Sequence, residues 1–189
     1  FCEKLMKDLN ETSATGPDHP PTRVVKRCAE VLALPVYILA MMVLQRGEWP
    51  DMWREHWLCP LHQKKSPHDP KNYRAVHITA QLSKVVARFI KACAQPFMIQ
   101  RCAFGSHQFA YLPDRGARDA LAFLVVTWLL AMGRGSKILL YCSDVAGAFD
   151  RVSASRLPQK LQSKGLHKDL VKLFESWLRT RRARVVVGG

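Results

Sequence analysis

The chain has 189 residues, 48% of them hydrophobic and 23% charged, a balance that excludes a disordered or collagen-like polypeptide. Lys and Arg number 29 against 15 Asp and Glu, a formal net charge of +14, so the expected partner is a polyanion or an acidic small molecule, with nucleic acid first. The length fits one ordinary domain or part of a larger one.

In chain order, a short helix over 3–9 leads into a Ser/Thr/Gly/Pro loop. Pro17, Pro20 and Pro21 forbid a helix there. Residues 23–45 read as a long helix ended by Gly47 and Pro50, with Pro35 kinking it or dividing it in two. Trp49, Trp53 and Trp57 read as core anchors rather than base-stacking platforms. Residues 56–61 and 73–78 read as strands, joined by a polar, basic, proline-punctuated loop, which suggests an antiparallel pair. A helix over 82–99 places Leu82, Val85, Val86, Phe89 and Ile90 on one face. A helix over 117–132 is apolar nearly all round and is expected to be central. Residues 137–143 read as a short buried strand. Helices over about 150–161 and 168–180 follow, and a strand starts at Arg184. The class expected is α+β with short strands.

The apolar runs 31–44 and 120–132 fall short of the roughly 20 residues a spanning helix needs and read as core helices, so no membrane is expected. Cys2, Cys28, Cys59, Cys93, Cys102 and Cys142 form no C-x-x-C pair, so no zinc is expected, and most of them read as small core hydrophobes. With no signal peptide in the sequence, an intracellular, reducing setting is expected and not secretion. Phe1 at the start and a strand running into Gly188 and Gly189 at the end read as cuts from a longer polypeptide.

The sharpest local feature is Ile138-Leu139-Leu140-Tyr141-Cys142-Ser143-Asp144-Val145-Ala146-Gly147-Ala148-Phe149-Asp150. An apolar strand ends in a carboxylate, then a small-residue turn, an aromatic and a second carboxylate. Asp144 can ligate a hard cation, which takes oxygen ligands, or bond the turn backbone. Asp150 can do the same or cap the next helix. Phe149 is a candidate site aromatic or a core ring. Lys64, Lys65, Arg74 and Arg115 are candidate phosphate contacts or solvated charges. The run Arg179, Arg181, Arg182, Arg184 is a candidate nucleic-acid backbone contact or a solvated face.

This segment resembles motif A of reverse transcriptases, in the form found in non-LTR (LINE-like) retrotransposons. Other blocks fall in the family's order. Gly16-Pro17-Asp18 resembles its N-terminal element, with His19 where a glycine is usual. Trp57-Leu58-Cys59-Pro60-Leu61 with Lys64-Lys65 resembles the strand and basic loop of the fingers. Asn72-Tyr73-Arg74-Ala75-Val76 resembles the next fingers strand, with Ala75 for the usual proline. Leu82-Ser83-Lys84-Val85 resembles the helix start that follows. Gln108-Phe109-Ala110-Tyr111, Pro113, Arg115 and Asp119-Ala120-Leu121 resemble the next block, with Leu112, Gly116 and Ala117 as departures. Trp177-Leu178-Arg179 through 189 resembles the stretch before motif B. Group II intron enzymes share the pattern.

The resemblance implies fingers and a partial palm of a right-hand polymerase, truncated before motifs B and C. Residues 1–136 would hold the N-terminal element and fingers, and 137–189 the partial palm. The parent would be an RNA-directed DNA polymerase, a nucleotidyltransferase that uses an RNA template, a DNA primer, dNTPs and two Mg2+ ions, with Mn2+ as a substitute, and works in the nucleus. Asp144 would be catalytic and a metal ligand. The backbone near Val145 would touch the triphosphate. Lys64 or Lys65, with Arg74, would contact the triphosphate, and Phe149 would lie under the sugar and exclude a ribose 2′-hydroxyl. Arg115 would face template or nucleotide. The arginine run would hold template or primer backbone. Asp144 alone cannot cage two octahedral cations, so the chain by itself is expected not to polymerise. Without the hairpin of motif C, the strand over 137–143 would expose an apolar edge, and aggregation is expected. The rival is a non-catalytic, nucleic-acid-binding remnant of a decayed retroelement. A small-molecule enzyme finds no support, since neither a Gly-rich phosphate loop nor a nucleophile elbow occurs.

Overall fold

The structure, a computed structural model, describes residues 1–145, 147–148 and 151–187. Its elements run α1 (Cys2–Lys7), α2 (Thr22–Arg27), α3 (Ala29–Arg46), β1 (Glu55–His62), β2 (Tyr73–Ile78), α4 (Gln81–Gln100), α5 (Ala117–Gly133), α6 (Arg156–Ser163), α7 (Lys168–Leu178) and β3 (Arg182–Val185). Single 3-10 turns fill Asp51–Trp53 and Pro70–Asn72. The class is α+β with a three-stranded sheet. The chain splits into two compact units, Phe1–Phe97 with Ser153–Gly189, and Met98–Val152. The division expected at 136/137 is one of polymerase subdomains, which this compactness does not test.

In the first unit the apolar stripe of α4 lies in the core: Val85, Val86, Phe89 and Ile90 are buried, with Leu82 partly so. Met6 of α1, Val25 of α2, Val36, Ala40 and Val43 of α3, Trp49, Trp53 and Leu173 of α7 complete that core. The helical period explains a correction here. Cys93 is exposed while Ala94 beside it is buried, because one residue turns a helix by about 100°. Flanking residues thus misled the reading of the cysteines. All are free, Cys2 alone is buried, Cys59 is partly so, and the others are exposed.

Pro35 does not divide the long N-terminal helix. It lies inside α3, where a missing N–H is a local loss, and the break falls at Cys28, which leaves helical geometry at φ −91° and ψ 14°. Gly47 closes α3 in the left-handed conformation, φ 61°, with its N–H bonded to the carbonyls of Val43 and Leu44.

The sheet order is β2-β1-β3. β1 and β2 pair antiparallel from Trp57 opposite Ile78 to His62 opposite Tyr73, as the strand reading predicts. β3 pairs with β1 in parallel, from Glu55 opposite Arg182 to Leu58 opposite Val185. Pro60 lies beyond this pairing, so its missing N–H costs the central strand no bond to β3.

In the second unit two expectations fail. None of α5 is buried, so it is not the central helix its composition predicts. An apolar belt on every side needs cover on every side, and among the described residues of this unit only the last residues of α4 and loop segments accompany α5. Residues 137–143 form no strand, and Leu139 and Tyr141 are almost fully exposed. Strand composition becomes a strand only with a hydrogen-bonding neighbour, and none of the described residues pairs with this segment. The helix expected from Asp150 begins later, at Arg156.

Candidate functional site

The loop between β1 and β2 is tied down by its own polar groups. Gln63 N–H donates to the Asn72 carbonyl at 2.9 Å and closes the ends. Asn72 Nδ2 donates to the Ser66 carbonyl at 2.8 Å, Tyr73 OH to the Pro67 carbonyl at 2.9 Å, and Asp69 Oδ1 accepts from Lys71 N–H at 3.0 Å. Lys65 takes φ 66° to make the turn. Lys64, Lys65 and Arg74 are exposed, and none of them has a side-chain hydrogen bond or ion pair among the described residues. The hairpin thus presents ordered backbone with free cations, a geometry that suits phosphate oxygens.

Gly16-Pro17-Asp18 has a structural role. Asp18 Oδ2 accepts from the backbone N–H groups of Gln81 at 2.7 Å and Leu82 at 3.3 Å, which caps α4 from a distant loop. Gly16 packs against Thr79, and a Cβ there would lie 2.2 Å from the Thr79 carbonyl oxygen. Gln81 is fully buried and its Nε2 donates to the Ala14 carbonyl at 2.6 Å. Asp18 Oδ1 and Gln81 Oε1 are buried without a protein donor.

The arginine run does not share one face. Arg182 and Arg184 occupy alternate positions of β3, are exposed and project to the same side of the strand. Arg179 ion-pairs with Glu175. Arg181 places its guanidinium 4.9 Å over the Trp177 ring, and burial there lowers its pKa. Arg54, just before β1, ties the run to the sheet. Its Nη1 donates to the carbonyls of Ser176 and Arg179, the latter at 2.8 Å, and its Nε to Asp51 Oδ1 at 2.7 Å. Arg54, His56, Lys84, Trp177 and Arg181 line a cavity of about 110 Å³ inside the first unit. Burial is the main cause that holds the His56 imidazole below its ordinary pKa, with Arg181 and the stacked His77 adding to it. Burial likewise pushes the Lys84 ammonium down, against the pull of Asp18 and with Arg88 assisting.

Arg115, Asp144 and Val145 belong to the second unit. Arg115 donates to the carbonyls of Ser106 at 3.1 Å and Gln108 at 3.4 Å, so it braces its own loop. Asp144 and Val145 are exposed. Phe149 and Asp150 lie outside the described residues. No group of three or more His, Cys, Asp or Glu among the described residues could hold a metal ion. One exposed carboxylate does not supply the oxygen set that Mg2+ requires, so these residues do not by themselves fit a two-metal centre.

Compared with protein families and with curated proteins, the chain matches none. Sequence reasoning singled out Lys64, Lys65, Arg74 and Asp144 but assigned no site role to Arg54, His56 and Lys84. The signal for Lys84 was a cation one position before Val85, at the edge of the apolar stripe of α4. Arg54 pairs locally with Asp51, but its ties to Ser176 and Arg179 are more than a hundred residues away and the His56 partner is on another strand, so neither cavity role was legible.

Proposed function

We propose that the chain is part of an RNA-directed DNA polymerase of the reverse transcriptase type, from a non-LTR retroelement. The observation that carries this reading is the order of the blocks: Gly16-Pro17-Asp18, Trp57 to Lys65, Asn72-Tyr73-Arg74, Leu82-Ser83-Lys84, Gln108 to Leu121, then Asp144 to Asp150. The basic antiparallel hairpin supports it, since Lys64, Lys65 and Arg74 stand free in solvent on one β-pair.

In this reading the hairpin cations hold the triphosphate of an incoming deoxynucleotide, Arg74 through its planar fork and Lys64 or Lys65 as a mobile point charge. Asp144 is one oxygen ligand for Mg2+, and the remaining ligands come from outside the described residues. Phe149 sets the preference for a deoxyribose. Arg182 and Arg184 hold template or primer backbone.

A second reading, a nucleic-acid-binding remnant without chemistry, draws on the basic surface and the lack of a ligand cluster among the described residues. Photo-crosslinking separates the two. With Mg2+ and a primed RNA template, an azido-dNTP is expected to label residues 63–74, and Arg74→Ala to lose the label. A chain that binds the template but never takes the nucleotide label contradicts the polymerase reading.

A further inference from the structure

The cavity in the first unit holds cations without a matching acid. Arg54 is neutralised by Asp51 and its bonds go to backbone carbonyls. Lys84 and Arg181 have no ion pair among the described residues. The acid that acts on Lys84 is Asp18, but Asp18 Oδ2 is committed to the N-terminus of α4. Lys84 is half-buried and Arg181 stands exposed at the rim over Trp177, so the part-buried ammonium costs free energy unless something negative faces it.

The walls are built rather than accidental. His56 is buried, stacks on His77 at 5.0 Å and is bonded to the Arg54 backbone, so its ring is a fixed wall of the cavity. The Trp177 ring fixes the Arg181 guanidinium from below. Trp49 and Trp53 pack edge to face at 5.4 Å and make the floor rigid. The volume of about 110 Å³ exceeds what one water needs and falls well short of a pocket for a whole nucleoside. It takes a compact oxyanion. Arg182 and Arg184 continue the positive surface along β3.

We infer that this cavity is a phosphate subsite, in which the Lys84 ammonium and the Arg181 guanidinium bind the oxyanion and the His56 ring forms one wall. It stands on the first unit alone and does not depend on the polymerase reading. The phosphate belongs to a nucleic-acid strand or to a free phosphate compound.

The test uses the whole chain. Inorganic phosphate is titrated at constant ionic strength, with chloride as the balancing anion, and Tm and the phosphorus NMR line width are followed. Phosphate is expected to raise Tm in proportion to ln(1 + [L]/Kd) and to broaden its own line. Lys84→Met and Arg181→Gln, each checked by circular dichroism, should lose both effects, whereas Lys160→Ala, at an exposed lysine of α6, should keep them. A short single-stranded oligonucleotide then separates the sources. If Lys84→Met weakens its binding about tenfold and phosphate displaces it, the occupant is a backbone phosphate. If phosphate stabilises the chain and oligonucleotide affinity does not move, the occupant is a free phosphate compound. A wild-type chain that phosphate stabilises no more than chloride does, with no line broadening, overturns the proposal, as does an effect that survives both substitutions.

Discussion

Asp18 caps a helix that begins 63 residues later: its Oδ2 accepts from the Gln81 backbone N–H at 2.7 Å. The first turn of a helix has N–H groups with no partner inside the helix, and a carboxylate satisfies them while opposing the positive end of the helix dipole. Removing it is expected to destabilise the first unit by about 1–2 kcal/mol. Asp18→Ala should lower the denaturant midpoint by that amount, and Asp18→Asn, which keeps an acceptor, by less. Gly16→Ala should cost more than Asp18→Asn, because its Cβ meets backbone that cannot step aside. An unchanged midpoint in both would remove the latch from the account.

Arg54 joins the sheet to the end of α7 through the carbonyls of Ser176 and Arg179. Its side chain is only 12% exposed. Arg54→Ala should destabilise by about 1–2 kcal/mol, since it removes charge-assisted bonds to a part-buried carbonyl and an exposed one. Arg54→Lys should recover little of this, because an ammonium cannot span the fork. Urea unfolding of both variants decides the point.

Burial keeps the folded His56 imidazole below its ordinary pKa of 6.5. The unfolded chain therefore binds a proton there that the folded chain refuses, and stability is lost as pH falls through the mid-6 range. Wild-type Tm should drop more steeply from pH 7 to pH 5 than the Tm of His56→Gln. Parallel curves would show that the imidazole does not feel the cavity.

The hairpin cations are exposed, so their loss should leave stability alone and weaken binding. Replacing Lys64, Lys65 and Arg74 with Ala should leave Tm within about a degree or two of wild type, as surface changes away from packed features do. Affinity for a primed RNA template should fall, and the slope of log affinity against log salt should flatten by roughly one for each phosphate contact removed. A slope that stays the same would place the phosphates elsewhere.

Much of the first unit was legible because its elements carry their own signals. The apolar stripe of α4 and the Tyr73–Ile78 strand follow from periodicity alone. The parallel pairing of β3 with β1 was not legible, because register between strands so far apart is set by Arg54 and the α7 end rather than by local sequence. Residues 137–143 and α5 have the composition of buried elements and are exposed here. Composition states what an element needs around it and says nothing of whether a neighbour is at hand. The candidate site divides the same way. Lys64, Lys65, Arg74 and Asp144 were found through motifs, and each is exposed. Arg54 and His56 are defined as cavity residues by three-dimensional neighbours, and Lys84, although inside the Leu82-Ser83-Lys84-Val85 block, carried no site role in the sequence.

The central claim is that Asp144 belongs to a polymerase. The measurement that bears on it most directly is the sequence of the transcript past the Gly189 codon. The account predicts an open frame that runs into a glutamine-glycine segment and then a pair of adjacent aspartates, the carboxylates that Asp144 lacks among the described residues. A stop or frameshift before that pair would contradict it, and the chain would then be a nucleic-acid-binding remnant.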